Sequence, residues 1–326
     1  MKRRLFASLL LIVGIACAPV AHASYSGLYV FGDSLSDTGN NAAVIGADPT
    51  QVITGNTYVP TNPYASGQYS NGNVWVHTFA AGLGLSAAPF VAGGGVFAFG
   101  GAQTSYDPPP FGFPPSLTTQ MGMYLSLTGG LASSDALYVI AGGGNNARAA
   151  LEAIGGGADV AATIGATAAQ YAADIGAMVD SLQAAGAKDI VVWNTPNLGL
   201  APAVTAGGAA SSFLGMLVAS SMNSALALEL SDEAGVRLFD VFGLVSNIAQ
   251  NPGLYGLSNV SDACGGIAGC DASKYLFWDG IHPTAAGHVI LGNAMVAAIP
   301  EPETYAMLLA GLGLLGFALR RRAGKA

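Results

Sequence analysis

The stretch Leu28-Tyr-Val-Phe-Gly-Asp-Ser-Leu-Ser-Asp-Thr-Gly-Asn40 decides the reading of this chain. Leu28 to Phe31 is a short continuous apolar run, the pattern of a strand covered on both faces. It passes without a spacer into a block of Gly, Asp, Ser, Thr and Asn. A serine in the turn after a buried strand can aim its hydroxyl into an open cleft, and Gly32 permits the tight geometry. Ser34 is therefore the candidate nucleophile. Gly-Asp-Ser-Leu alone is a weak signal, because four common residues recur by chance; the whole block from Phe31 to Asn40 is far more specific.

Three more runs of the same kind follow: Ala136-Leu-Tyr-Val-Ile-Ala141, Asp189-Ile-Val-Val-Trp193 and the weaker Val236-Arg-Leu-Phe-Asp240. Between them lie Ala-rich stretches that predict helices near Val74–Leu83, Thr167–Ala185 and Ser211–Ala234, and Pro283 is expected to open a last helix. Strands alternating with helices call for an α/β fold with a parallel, doubly wound sheet. In such sheets chemistry gathers at the carboxyl ends of the strands. Residues 24–299 provide enough chain for one large domain. The proline-rich segment 107–115 reads as a rigid surface loop.

The chain has 326 residues, of which 9% are charged, against about 25% in ordinary globular chains. Three cations open it (Lys2, Arg3, Arg4) and four close it (Arg320, Arg321, Arg322, Lys325). The body from Ser24 to Ile299 keeps four cations (Arg148, Lys188, Arg237, Lys274) against 17 carboxylates, a net charge of −13. A body that anionic repels phosphate backbones, which excludes nucleic acid as a partner. The low charge together with 52% hydrophobic residues excludes a wholly disordered chain.

Both ends read as addresses. Lys2-Arg3-Arg4, the apolar run from Leu5 to Cys17 and the small residues of Ala21-His22-Ala23 follow the order of a secretory signal, so residues 1–23 are expected to be removed by signal peptidase. Pro300-Glu301-Pro302-Glu303 precedes an apolar stretch from Tyr305 to Leu319 and then Arg320-Arg321-Arg322. Fifteen residues of helix span roughly 22 Å, short of a ~30 Å hydrocarbon core. The basic end nevertheless favours a membrane helix with the preceding body outside. Residues 300–326 closely resemble the PEP-CTERM sorting signal of Gram-negative bacteria. That resemblance implies recognition by an exosortase, with the helix as a transient or stable anchor, and delivery to the cell surface or extracellular matrix.

A serine nucleophile needs a base. The body holds three histidines, His77, His282 and His288. His282 lies in Phe277-Trp-Asp-Gly-Ile-His-Pro-Thr284, three residues after Asp279, a spacing that lets the carboxylate fold back on the imidazole Nδ1–H and leaves Nε2 for the serine proton. His77 and His288 read as structural. Attack on an ester carbonyl builds charge on oxygen, so donors must already point there. The N–H of Gly101, in Val96-Phe-Ala-Phe-Gly-Gly-Ala102, and the side-chain amide of Asn145, in Gly142-Gly-Gly-Asn-Asn146, are the candidates.

Taken in order along the chain, these blocks resemble the GDSL branch of the SGNH hydrolases, similar to its surface-displayed bacterial and plant esterase/lipase members. The four family letters fall on Ser34, Gly101, Asn145 and His282, with Asp279 as the acid. Gly67-Gln-Tyr-Ser-Asn-Gly-Asn-Val-Trp75, Thr195-Pro-Asn-Leu-Gly199 and Pro252-Gly-Leu-Tyr-Gly256 extend the likeness from Gly27 to about Ala297. The resemblance implies a flavodoxin-like α/β/α sandwich and a metal-free acyl-enzyme route, with Ser34 N–H, Gly101 N–H and Asn145 forming the oxyanion hole. Two departures stand out. Asn146 occupies the place of the family's Asp after the block-three Asn, and Val96 replaces the usual Asn of block two, which leaves Gly100 as an alternative to Gly101.

Cys264 and Cys270, just upstream of Asp279, are expected to pair in an oxidising compartment, with free thiols as the alternative. No Cys/His set has zinc spacing and no Gly-rich stretch reads as a dinucleotide or phosphate cradle, so no cofactor or metal is expected. The sequence thus predicts an exported serine esterase/lipase acting on carboxylic esters, either acyl lipids or acylated carbohydrate. The rival expectation is a matrix protein that binds exopolysaccharide on the same fold without turning it over.

Overall fold

Four parallel strands, β1 (Leu28–Gly32), β2 (Leu137–Ala141), β3 (Asp189–Trp193) and β4 (Val236–Phe239), pair in the order β1-β2-β3-β4. They are the four apolar runs of the sequence, and every residue of β2 is buried, as a strand in the middle of such a sheet requires. The structure is a computed structural model that describes residues 25–57 and 60–299. The secretory-signal reading of residues 1–23 and the sorting-signal and membrane-helix reading of residues 300–326 lie outside the described residues.

Along the free edge of β1, residues 95–99 run parallel to it without forming a regular strand. Val30 N–H donates to the Gly95 carbonyl at 3.0 Å, Phe97 N–H to Val30 at 2.7 Å, and Phe99 N–H to Gly32 at 3.2 Å. With that segment counted, the order is the 2-1-3-4-5 arrangement of flavodoxin-like sheets, in which β1 lies at the switch point where ligands collect.

The helices are α1 (Asn40–Ile45), α2 (Trp75–Gly82), α3 (Leu117–Leu127), α4 (Gly144–Gly155), α5 (Val160–Ala185), α6 (Pro202–Thr205), α7 (Ala209–Glu229), α8 (Val241–Gln250) and α9 (Ala285–Ala298). Strand side chains alternate between the faces. Phe31, Tyr138, Ile140, Ile190 and Val192 join Tyr124 of α3, Ile175 of α5 and Met222 of α7 in one core. Val30, Val139, Val191 and Trp193, buried on the other face, meet α2 and α9. There Trp193 packs on Trp75 with ring centroids 4.4 Å apart, and its Nε1–H donates to the sulfur of Met295 at 2.9 Å. The two helices approach closely because Gly292 lacks a side chain: a Cβ there would lie 2.8 Å from the Trp75 carbonyl.

Several elements differ from the sequence reading. The last helix opens at Ala285 rather than at Pro283. Thr284 is its cap, its Oγ1 accepting from Gly287 N–H at 3.0 Å, while Pro283 stays outside with its carbonyl accepting from the Ser70 hydroxyl at 2.8 Å. Helix α5 starts at Val160, where Asp159 accepts from Ala162 N–H, and α7 stops at Glu229, the residues up to Ala234 forming turns. Helices α1, α3, α4, α6 and α8 were not anticipated, nor was a small parallel pair, β5 (Asn259–Ala263) with β6 (Tyr275–Phe277). Cys264 and Cys270 are joined by a disulfide, with Cα atoms 5.6 Å apart.

His288 sits in α9 with no exposure and no hydrogen bond to either ring nitrogen among the described residues. Burial pushes its imidazole down to about 3. The unfolded chain takes up a proton at this residue below about 6.5 and the native chain does not, so this group lowers stability by about 1.4 kcal/mol per pH unit on acidification. Asp33 runs the other way: burial pushes its carboxyl up to about 6, so it adds stability as pH falls from about 6 towards 3.8. His288→Met should leave neutral-pH stability within about 1 kcal/mol, since an unpartnered buried polar ring is exchanged for an apolar chain of similar size. At pH 5 the variant should be more stable than the parent by about 2 kcal/mol, measured by thermal unfolding at both pH values.

Candidate active site

The turn after β1 is held from three sides. The peptide of Gly32 is clamped by Gln120 of α3, whose Oε1 accepts from Gly32 N–H and whose Nε2 donates to the Gly32 carbonyl, both at 2.9 Å. A Cβ on residue 32 would lie 2.6 Å from the Ala141 carbonyl, so only glycine lets β1 and β2 continue side by side into the turn. The Asp33 carbonyl then accepts from Ser36 and Asp37 N–H at 3.0 Å each, closing the turn around Ser34.

Asp37 is fully buried, and its carboxylate accepts from the N–H groups of Gly39 (2.9 Å), Asn40 (2.7 Å), Asn41 (3.2 Å) and Gly100 (3.0 Å). The Asn40 amide donates to the carbonyls of Val96 and Ala98, each at 2.8 Å. The serine block is thereby stitched to the 95–101 segment, which accounts for the length of the motif beyond its serine. The Gly100 N–H is spent on Asp37. Gly101 adopts φ +87°, a left-handed conformation that suits glycine, and neither its N–H nor that of Ser34 has a partner among the described residues.

Ser34, His282 and Asp279 meet in a buried line. Ser34 Oγ lies 2.8 Å from His282 Nε2, and His282 Nδ1 lies 2.7 Å from Asp279 Oδ2. The other oxygen of Asp279 accepts from Ile281 and His282 N–H at 2.8 and 2.7 Å, so the four-residue loop folds back on its own carboxylate. Two tyrosines to which the sequence reading gave no role adjoin this line. The Tyr64 phenol donates to Asp279 Oδ2 at 2.8 Å, and the Tyr69 ring lies 5.4 Å from the imidazole, centroid to centroid, tilted by 33°. Burial pushes the Tyr69 phenol up to about 12. Tyr69 lay inside the stretch 67–75; Tyr64 had no local signal.

Asn145 projects from the first turn of α4. Its Nδ2 donates to the Ala102 carbonyl at 2.9 Å, leaving one N–H of the amide for the cleft, and its Oδ1 accepts from Arg148 at 3.2 Å. Arg148 is thus the only one of the body's four cations that reaches the site, a placement the sequence did not suggest. Asn146 points away. Its Oδ1 accepts from Thr104 N–H at 3.1 Å and its Nδ2 donates to the Thr104 hydroxyl at 2.8 Å, while that hydroxyl donates to Asp174 of α5.

Two cavities flank Ser34. One, of about 320 Å³, is lined by Ser34, Gly101, Asn145, His282 and Tyr69. The other, of about 360 Å³, opens between Ser34 and Leu35 on one side and Leu198, Val204, Val245 and Ile281 on the other, and it is largely apolar. Asp33 is also part of its lining. Elsewhere, His77 pairs with Gln68 at 3.2 Å, and the Gly265 N–H beside the disulfide donates to the Trp278 carbonyl at 2.9 Å. Among the described residues no three His, Cys, Asp or Glu side chains are grouped so as to hold a metal ion.

A buried serine–imidazole–carboxylate line at the carboxyl end of the first strand of a parallel sheet defines a class of fold and site. Within it, the sequence model of the GDSL-like Lipase/Acylhydrolase family matches residues 28–295, and the chain belongs to that family. The PEP-CTERM protein-sorting motif matches residues 298–322. The chain is 31% identical to Esterase EstA of Pseudomonas aeruginosa over 340 residues, covering 91% of this chain and 50% of that one. It is 26% identical to a GDSL esterase/lipase of Arabidopsis thaliana over 328 residues, covering 89% of this chain and 94% of the relative. An uncharacterized protein of the trpE-trpG intergenic region of Pseudomonas putida is 28% identical, with 91% of this chain and 52% of that one covered. The chain spans about half the length of these two Pseudomonas relatives.

The hydroxyl of Thr104 has one proton and gives it to Asp174, so residue 146 must donate to it. Asn146→Asp removes that donor and sets a second carboxylate across the same hydroxyl. It should lower stability by about 1–3 kcal/mol, and Asp174→Asn in the Asn146→Asp background should recover most of the loss. Thermal unfolding of the two single variants and the double variant checks this as a double-mutant cycle.

Proposed function

We propose that this chain is an exported serine hydrolase that cleaves carboxylic esters through an acyl-enzyme on Ser34. The observation that carries the reading is the continuous contact from Ser34 Oγ to His282 Nε2 and from His282 Nδ1 to Asp279, at 2.8 and 2.7 Å. Ser34 attacks the ester carbonyl while His282 takes its proton. Asp279 holds the imidazole in the tautomer that presents Nε2 and stabilises the imidazolium that forms. The free N–H groups of Ser34 and Gly101 and the second amide proton of Asn145 receive the charge that develops on the carbonyl oxygen. His282 then returns the proton to the leaving alcohol, and water deacylates the enzyme by the same steps in reverse. Arg148 on Oδ1 of Asn145 fixes the amide so that its nitrogen, not its oxygen, faces the oxyanion.

The apolar cavity of about 360 Å³ beside Ser34 favours an acyl chain of several carbons over an acetyl group, and so an acyl ester over an acetylated glycan. A cleft of this size and lining suits a small apolar ligand. Export rests on the N-terminal charge-and-apolar pattern of residues 1–23 and on the sorting motif at residues 298–322. These imply signal peptidase and an exosortase as processing partners and a destination at the surface or matrix of a Gram-negative cell.

Ser34→Ala should abolish hydrolysis of p-nitrophenyl esters and labelling by a fluorophosphonate, with the thermal midpoint nearly unchanged; retained turnover would remove the nucleophile assignment. Across p-nitrophenyl esters of increasing length, kcat/KM should rise from acetate by up to about fourfold per methylene until the cavity is filled, the ratio that corresponds to about 0.8 kcal/mol per buried CH₂. A best substrate with an acetyl group would contradict the acyl-chain reading. Asn145→Ala should lower kcat by about 10²-fold or more, in line with other oxyanion donors.

A further inference from the structure

Asp279 accepts four hydrogen bonds, three of them from Ile281 and His282 within its own loop. The fourth comes from Tyr64, which lies 215 residues away in the chain. Resting on the acyl-enzyme reading above, we propose that Tyr64 is a positioning residue for ester hydrolysis: its O–H shares Oδ2 of Asp279 with the His282 Nδ1–H and so sets both the aim and the basicity of the imidazole.

The phenol is held for that purpose. The Tyr64 ring stands edge-on to Trp278, the residue before Asp279, with centroids 6.2 Å apart and planes at 83°. Ile53 and Ala263 complete a small buried cluster around it. Its backbone is pinned as well, N–H donating to Gln68 at 3.1 Å and carbonyl accepting from Gly67 at 2.8 Å. The Trp278 carbonyl is in turn tied to Gly265 at the disulfide loop. So held, the Tyr64 hydroxyl meets Oδ2, the oxygen that faces the imidazole.

A hydrogen bond to a carboxylate oxygen draws charge from it. With Tyr64 in place, Oδ2 attracts the imidazole proton less than a bare carboxylate oxygen would. Removing the phenol concentrates charge on Oδ2, stabilises the imidazolium and raises the pH at which His282 loses its proton. It also frees the carboxylate to rotate, which costs turnover. The other groups facing His282 are Ser34, the Tyr69 ring and, at longer range, Asp33 and His288, with Arg148 beyond Asp33.

The test compares the full-length wild type with Tyr64→Phe and Tyr64→3-fluorotyrosine, reading kcat and KM on a p-nitrophenyl ester from about pH 5 to 9, with the thermal midpoint alongside. Tyr64→Phe should lower the plateau kcat by about tenfold with KM within about twofold, and move the acid limb upward by up to about one pH unit. Tyr64→3-fluorotyrosine keeps the ring and the bond but is a stronger donor, so its acid limb should move downward. Acid limbs that coincide with the wild type in both variants would overturn the proposal, whatever happens to kcat or thermal stability, because a purely structural Tyr64 moves stability alone. A wild type with no histidine-governed acid limb would overturn the acyl-enzyme reading itself and this proposal with it.

Discussion

Asp37 is a charge buried without a cation, and the site is assembled around it. Four backbone N–H groups satisfy the carboxylate, three from the turn and helix that follow Ser34 and one from Gly100 across the cleft. Burial still pushes this carboxyl up from its ordinary value, against those four bonds. Hydrogen bonds to an ionised group are stronger than neutral ones, so the cost of burial is offset only while all four donors stay in place. That condition couples two stretches of chain some sixty residues apart. The neighbouring N–H of Gly101 keeps no partner among the described residues, and Gly101 lines the same cavity as Ser34.

The same logic recurs at Asp279, a second fully buried carboxylate. Its four donors come from the loop it belongs to and from Tyr64. In both cases the acid is fixed by donors rather than by a counter-charge, which suits a body with four cations and 17 carboxylates. Arg148 is the exception, and it acts through an amide: it holds Oδ1 of Asn145 while the Ala102 carbonyl holds one amide proton. The amide at position 146 answers to a different neighbour. Asp174 already takes the Thr104 hydroxyl proton, so the residue opposite has to be a donor.

Much of this was readable in advance because it is local. Strands β1 and β2 and the buried part of β3 are continuous apolar runs, since a strand covered on both faces needs apolar residues at every position, while the edge strand β4 carries Arg237 and an exposed Leu238 and reads more weakly. The Asp279–His282 pair is three residues apart and closes within a single loop. The missed elements share a cause. Strand β6 has three residues and no period to detect. The segment 95–99 pairs with β1 by only a few hydrogen bonds, and Gly93, Gly94 and Gly95 before it hide any alternation. Pro283 suits a first helical turn, yet its carbonyl is taken by Ser70 from another part of the chain, and Thr284 makes the cap instead.

Residue types and their spacing were enough to determine the α/β class, the strand that presents Ser34 and the order of the chemical groups along the chain, because each of those depends on contacts within a few residues. Which glycine keeps its N–H free, which way each side of the Asn145 amide faces, and that a tyrosine beyond any motif reaches the acid were decided only by the tertiary structure. Those features depend on donors and acceptors that meet from distant parts of the chain, and a linear pattern carries no record of how a hydrogen bond is shared among them.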